Sequence, residues 1–137
     1  MLRRTFLALT AAAALAAPQV ATAADMVEYT PGLVDQALAD GKTVLVDYSA
    51  KWCSTCKRQA RVINALRAED PAYDNAMMFV KVDWDTYKND DVTVFRNVPR
   101  RSTLILLRGE DELGRIVAGT GKGQIKELMD KGLTTGS

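Results

Sequence analysis

The chain has 137 residues, with 18 Lys and Arg against 17 Asp and Glu, 2 Cys and no His. A near-neutral charge provides no basic excess for a nucleic-acid backbone. With two cysteines and no histidine, one chain cannot supply the four ligands of a structural zinc site.

The first segment reads as an export signal. Met1-Leu2-Arg3-Arg4 is a basic start, Phe6 to Ala17 is an apolar run, and Ala21-Thr22-Ala23 has the small-x-small pattern of a cleavage site. This predicts a secretory signal peptide over residues 1–23 and one domain over residues 24–137. The apolar run is too short for a permanent membrane span, and no second one follows, so no membrane anchor is expected after cleavage. Arg3-Arg4-Thr5-Phe6-Leu7 resembles a twin-arginine signal, although Leu2 is unusual there and paired arginines also occur in ordinary bacterial signals. Either route predicts a periplasmic protein. Loss of Arg3 and Arg4 lowers the basic count from 18 to 16 against 17 acids, so the mature chain would be slightly acidic. A domain of this length can build a core without a covalent staple.

Thr30-Pro31 predicts a helix start, threonine as N-cap and proline in the first turn, with Leu33, Val34, Ala37 and Leu38 on one face. Asp40-Gly41 ends it. Thr43 to Ser49 is a largely β-branched apolar run that predicts a buried strand. The period then changes: Ala60, Val62, Ile63, Ala65 and Leu66 predict a helix over residues 54–69, stopped by Asp70-Pro71. Met77 to Trp84 predicts a strand and Asp90 to Asn97 a short helix carrying Val92, Val94 and Phe95. Thr103 to Leu107 and Leu113 to Ala118 predict a hairpin across the turn from Arg108 to Glu112, and Lys122 to Lys131 a closing helix. Alternating strand and helix, then a hairpin and a helix, predict an α/β fold: a mixed central sheet with helices on both faces.

Cys53 and Cys56 fall between the first long strand and the helix that follows it. A thiol there meets the partially positive helix N-terminus, which favours thiolate over thiol. The second cysteine lies one turn later and can close a small disulfide ring. This predicts a thiol–disulfide exchange site. Three other readings stand beside it: half of a metal site shared between two chains, a purely structural disulfide, and two unrelated core cysteines. Cys53 is expected to be the attacking thiolate, with Lys51, Lys57 and Arg58 adding positive charge, unless those residues are simply a solvated face. Cys56 is expected to resolve the mixed disulfide. Asp47 ends the buried strand, where a carboxylate is costly unless paired or at work.

Val46-Asp47-Tyr48-Ser49-Ala50-Lys51-Trp52-Cys53-Ser54-Thr55-Cys56-Lys57 resembles the active-site segment of the thioredoxin superfamily. Phe79 to Asp83 resembles the family's central strand, Ser102 to Leu107 the strand facing the active site, and Lys122 to Leu128 the start of its last helix. The resemblance covers most of the chain, from about Leu33 to Leu133. It implies a thioredoxin-like fold and a redox-active Cys53–Cys56 disulfide with no other cofactor. It also implies that Asp47 passes protons to and from Cys56 with Lys81 as neighbour, and that Trp52 is a flat rim beside the disulfide.

An ungapped alignment from Val98 puts Ser102 where the family has its cis-proline, immediately before Thr103, while Pro99 falls three residues early. Trp52, Arg101, Ser102 and Thr103 are therefore expected to meet the partner protein. A serine is expected to keep a trans bond, because a non-proline cis bond costs roughly 2.5–4 kcal/mol. If Ser102 sits in that turn, Ser102→Pro is expected to bring broader, ordinary thioredoxin behaviour. Arg100 and Arg101 either read an acidic partner or are plain surface charges. Without the histidine of the strong oxidants of the superfamily, the chain is expected to be a periplasmic reductant, nearer roughly −270 mV than −120 mV. Its expected partners are exported protein thiols and disulfides and a membrane-embedded thiol electron donor. The alternative is a binding protein that holds a metal or a partner through its cysteines.

Overall fold

The computed structural model describes residues 23–134. The predicted signal segment, Ala23 apart, lies outside them. Thr43–Ser49 (β2) is the central strand, hydrogen-bonded on both edges and buried from Thr43 to Tyr48. Its apolar run needs both faces covered, and the sheet provides this. Met77–Asp83 (β3) runs parallel to it, pairing Asp47 with Lys81, and Thr103–Arg108 (β4) runs antiparallel, pairing Asp47 with Leu104. Val27–Glu28 (β1) extends the parallel side and Asp111–Val117 (β5) the antiparallel side, in the order β1-β3-β2-β4-β5.

Strand alternation sorts the core into two layers. Leu45, Phe79, Leu104 and Leu106 face one side, where they pack on Ile63 and Leu66 of Ser54–Glu69 (α2) and on Ile125, Leu128 and Met129 of Lys122–Lys131 (α6). Tyr73 of Ala72–Ala76 (α3) joins them. Val44, Val46, Tyr48, Val80, Ile105 and Leu107 face the other, covered by Val34 and Ala37 of Leu33–Ala39 (α1), Trp84 and Tyr87 of Trp84–Tyr87 (α4), and Val92 of Asp91–Val94 (α5). Each large aliphatic side chain buried this way contributes about 1.5–3 kcal/mol relative to exposure. The mixed sheet with helices on both faces is thus the one predicted.

The differences are local. Thr30 does not cap α1: Gly32, at φ 86°, holds the N-cap without a side-chain bond, and the Thr30 carbonyl accepts the Leu33 N–H at 3.0 Å. The strand expected to reach Trp84 stops at Asp83, whose carboxylate accepts the Thr86 N–H at 3.2 Å and starts α4 instead. That cap competes with strand propensity and prevails. The hairpin turn is shorter than expected, because β4 runs to Arg108 and β5 starts at Asp111, with Gly109 at φ 58°. A glycine with positive φ allows so tight a reversal. Asp70 ends α2 in extended conformation, φ −138° and ψ 108°, as the following proline demands. Pro71 then leads into α3, which periodicity did not show.

Candidate active site

The chain leaves β2 at Ser49 and turns through Ala50, Lys51 and Trp52, with the Cys53 N–H donating to the Ala50 carbonyl at 3.1 Å. Cys53 is the N-cap of α2, and its Sγ accepts the Cys56 N–H at 3.2 Å. A sulfur thus does at this helix end what a serine or aspartate oxygen usually does. Cys53 and Cys56 form a disulfide, with Cα atoms 5.3 Å apart. Cys56 is fully enclosed and Cys53 is 4% exposed, so the expected order of access holds by a small margin. A thiolate on Cys53 would face the positive end of a 16-residue helix.

Ser102 closes the site from the opposite side. Its Oγ lies 3.2 Å from Cys53 Sγ and 3.1 Å from Cys56 Sγ. The residue is fully buried and its backbone is left-handed, φ 63°. Its N–H donates to the Tyr48 carbonyl at 2.8 Å, and its own carbonyl accepts the Ala118 N–H at 2.8 Å. Among the described residues no peptide bond is cis, so Ser102 keeps the trans bond expected of a serine.

Gln59 was not singled out in the sequence, yet it ties this loop to α2. Its Nε2 donates to the carbonyls of Ser102 and Gly119, both at 2.9 Å. Its Oε1 is buried without a hydrogen-bond partner among the described residues. A signal was present: Cys56, Gln59, Ile63, Leu66 and Arg67 are the buried residues of α2, and only Gln59 among them has a side-chain amide. A polar residue buried there must have partners inside the protein.

Asp47 lies on the same sheet face as Leu45, under α2, fully buried, with neither carboxylate oxygen hydrogen-bonded. Burial pushes its pKa up to about 7, and the positive charge of Lys81 opposes this. Lys81 is the cross-strand neighbour that the resemblance implied, but its ammonium is engaged by Glu28 at 2.9 Å and it does not bond Asp47. A carboxylate left this way is neutral over much of the acid range and ready to exchange a proton near neutrality.

Trp52 is 59% exposed beside the disulfide, with its indole N–H donated to Asp85 at 2.8 Å. The Arg101 guanidinium lies 4.3 Å from the Trp52 ring centre, and Arg101 Nε is buried without a hydrogen-bond partner. Cation and ring hold each other and form a flat rim. Asp85, which fixes the indole, was missed because it belongs to the helix that replaced the end of a predicted strand. Two of the residues expected to meet a partner have buried side chains. Thr103 is fully buried and its hydroxyl donates to the Arg100 carbonyl at 2.7 Å, so its side chain braces the loop. Ser102 points at the sulfurs from inside rather than outward. Lys57, like Lys51 and Arg58, is exposed, adding charge near the helix start without a bond to the cysteines.

The site is a surface, not a cavity. A cleft of about 850 Å³ lies at the far end of the sheet from the cysteines, beside Thr43, Arg67, Arg108 and Gly132. Among the described residues no group of three or more Asp, Glu, Cys or His side chains is placed to hold a metal ion. No helix among them is long and apolar enough to cross a membrane.

The thioredoxin family profile matches residues 25–131. The chain is 32% identical to Thioredoxin-T of Drosophila melanogaster over 94 residues, 69% of this chain and 56% of that protein. It is 33% identical to Thioredoxin-1 of Saccharomyces cerevisiae over 95 residues, 69% of this chain and 85% of that one. The crystal structure of Trxlp from Edwardsiella tarda superposes with a TM-score of 0.65 at 38% identity, covering 75% of this chain and 97% of the other.

Proposed function

The chain belongs to the thioredoxin family of thiol–disulfide oxidoreductases, and from that premise we propose that it is an exported reductant of selected periplasmic proteins. The observation that carries the reading is the Cys53–Cys56 disulfide at the N-terminus of α2, above a buried carboxylate with a pKa near 7. In the reduced protein the Cys53 thiolate attacks one sulfur of a partner disulfide. A mixed disulfide forms, and the partner's other sulfur leaves as a thiolate and takes a proton from water. Cys56 gives its proton to ionised Asp47 and attacks the Cys53 sulfur. That breaks the mixed disulfide, frees the partner's second sulfur as a thiolate, which takes a proton from water, and closes the Cys53–Cys56 ring. The partner gains two electrons and the cysteine pair loses two.

Direction and place rest on the sequence. No histidine stands between or near the cysteines to stabilise the thiolate further, which favours a reducing pair. The segment up to Ala23 has the pattern of a cleaved signal. An exported reductant needs electrons from across the membrane, so the donor would be a membrane-embedded thiol protein. Exposed Trp52, with half-buried Arg101 over its ring, is the rim against which partners would dock.

Insulin reduction by dithiothreitol tests the activity: the purified protein should accelerate it well above the uncatalysed rate. A rate equal to dithiothreitol alone would rule the reading out. Thiol trapping in cells tests the direction, with the pair expected mainly reduced in the exported fraction. A pair found fully oxidised there would make the protein an oxidant instead.

A further inference from the structure

Both sulfurs share one hydroxyl. In the disulfide neither sulfur carries a proton, so the single Ser102 O–H proton is shared between the two sulfurs, with Oγ at 3.2 and 3.1 Å from them. Among the described residues the Ser102 side chain has no other hydrogen-bond partner. Its backbone is fixed on three sides by Tyr48, Ala118 and Gln59. The backbone that carries the hydroxyl is therefore anchored by bonds that do not involve the cysteine pair. A hydroxyl both gives and accepts a proton, and a thiol is a weak donor.

We infer that Ser102 is a catalytic residue of the reduced enzyme, its hydroxyl accepting a hydrogen bond from the Cys56 thiol while donating one to the Cys53 thiolate. Cys53 Sγ already accepts the Cys56 N–H, so the hydroxyl gives the first sulfur a second donor, whereas the second sulfur acts as donor to Ser102. Donors aimed at one sulfur favour its anionic form, and the linked chain of bonds keeps the proton on the other. The division of labour between the two cysteines then has a cause besides the helix N-terminus. The inference rests on the thiol-exchange reading above.

Two substitutions separate the hydroxyl from the backbone. Ser102→Ala removes the oxygen and keeps a side chain at φ 63°, while Ser102→Gly removes the oxygen and suits that φ. The charged groups around the pair remain in both: Asp47 on β2, Lys51 in the turn before α2, Lys57 and Arg58 near the start of α2, Asp85 on α4, and Arg100 and Arg101 in the loop. The measurement is the pH titration of the reduced purified protein, read by thiolate absorbance and by the iodoacetamide rate at Cys53. In both variants the Cys53 pKa should rise by about one unit, the scale of one hydrogen bond to a charged group. The equilibrium with glutathione should shift roughly tenfold toward the disulfide, about 30 mV. An unmoved pKa in both variants overturns the inference, and so does a rise in Ser102→Ala that is absent from Ser102→Gly. Cooperative thermal unfolding of Ser102→Gly establishes that the fold is intact. Failure of the wild type to reduce insulin sinks the exchange reading, whereas an unmoved titration with insulin reduction intact sinks only this one.

Discussion

Ser102 and Ala118 both lie at φ 63°, and the N–H of Ala118 donates to the Ser102 carbonyl at 2.8 Å. Two residues with side chains have thus entered a region that costs each roughly 1–2 kcal/mol. The positions hold because neighbours over-determine them: Tyr48 takes the Ser102 N–H, and Gln59 grips the carbonyls of Ser102 and Gly119. What this arrangement gains is the hydroxyl between two sulfurs.

It also reverses one expectation. Proline fixes φ near about −65° and has no N–H, whereas Ser102 needs a positive φ and donates its N–H to Tyr48. Ser102→Pro should therefore destabilise the protein by roughly 3 kcal/mol or more, without broadening its range of substrates. Urea unfolding checks the first statement and reduction of unrelated disulfides the second. A variant as stable as the wild type would show that the loop can adopt a different path.

The sheet, its two faces and the cysteine pair could be read from the sequence, because burial shapes the apolar pattern and β2 is buried from Thr43 to Tyr48. The loop at Ser102 could not. Its shape depends on hydrogen bonds from Tyr48, Gln59 and Ala118, residues 16 to 54 positions away, and no local pattern records them. Asp83 differs, because its cap on Thr86 is three residues away and local, but the apolar run beside it pointed to a longer strand and the cap outweighed it. Glu28 was missed for a related reason: a two-residue edge strand has no period, yet it supplies the partner that occupies Lys81.

Gln59→Leu tests how much that loop depends on a single amide. Leucine suits the buried stripe of α2 but leaves the Ser102 and Gly119 carbonyls each short of one donor. Ser102 retains the Ala118 N–H. A loss of about 2 kcal/mol is expected in chemical denaturation, with slower insulin reduction. Unchanged stability would mean that other groups satisfy those carbonyls when Gln59 is gone.

The cysteines should differ in what their loss does. Cys53→Ser should abolish exchange, because the accessible sulfur at the helix start is gone. Cys56→Ser should still attack partners but cannot release them, so mixed disulfides through Cys53 should accumulate and be visible by non-reducing mass spectrometry. Full turnover by Cys56→Ser would contradict the two-thiol mechanism. Partners held by this variant in the exported fraction would identify the physiological substrates.

Asp47 links stability to pH with a definite sign. Its folded pKa is raised, from 3.8 to about 7, chiefly by burial, so the native state holds a proton that the unfolded chain has already lost. The contribution is complete below the unfolded pKa, falls as pH rises between the two values, and is gone once pH passes the folded one. Asn resembles the neutral acid and carries no such dependence. Asp47→Asn should match the wild type near about pH 4 and exceed it above about pH 8, by up to roughly 4 kcal/mol. The same variant should release partners more slowly at neutral pH, since no carboxylate then receives the Cys56 proton, and should recover as the solvent becomes alkaline. Denaturation at the two pH values checks the first part, and reduction rates between about pH 6 and 9 the second. Equal stability curves would mean that Asp47 ionises in the folded protein as easily as in water. Equal rate profiles would remove it from the proton path.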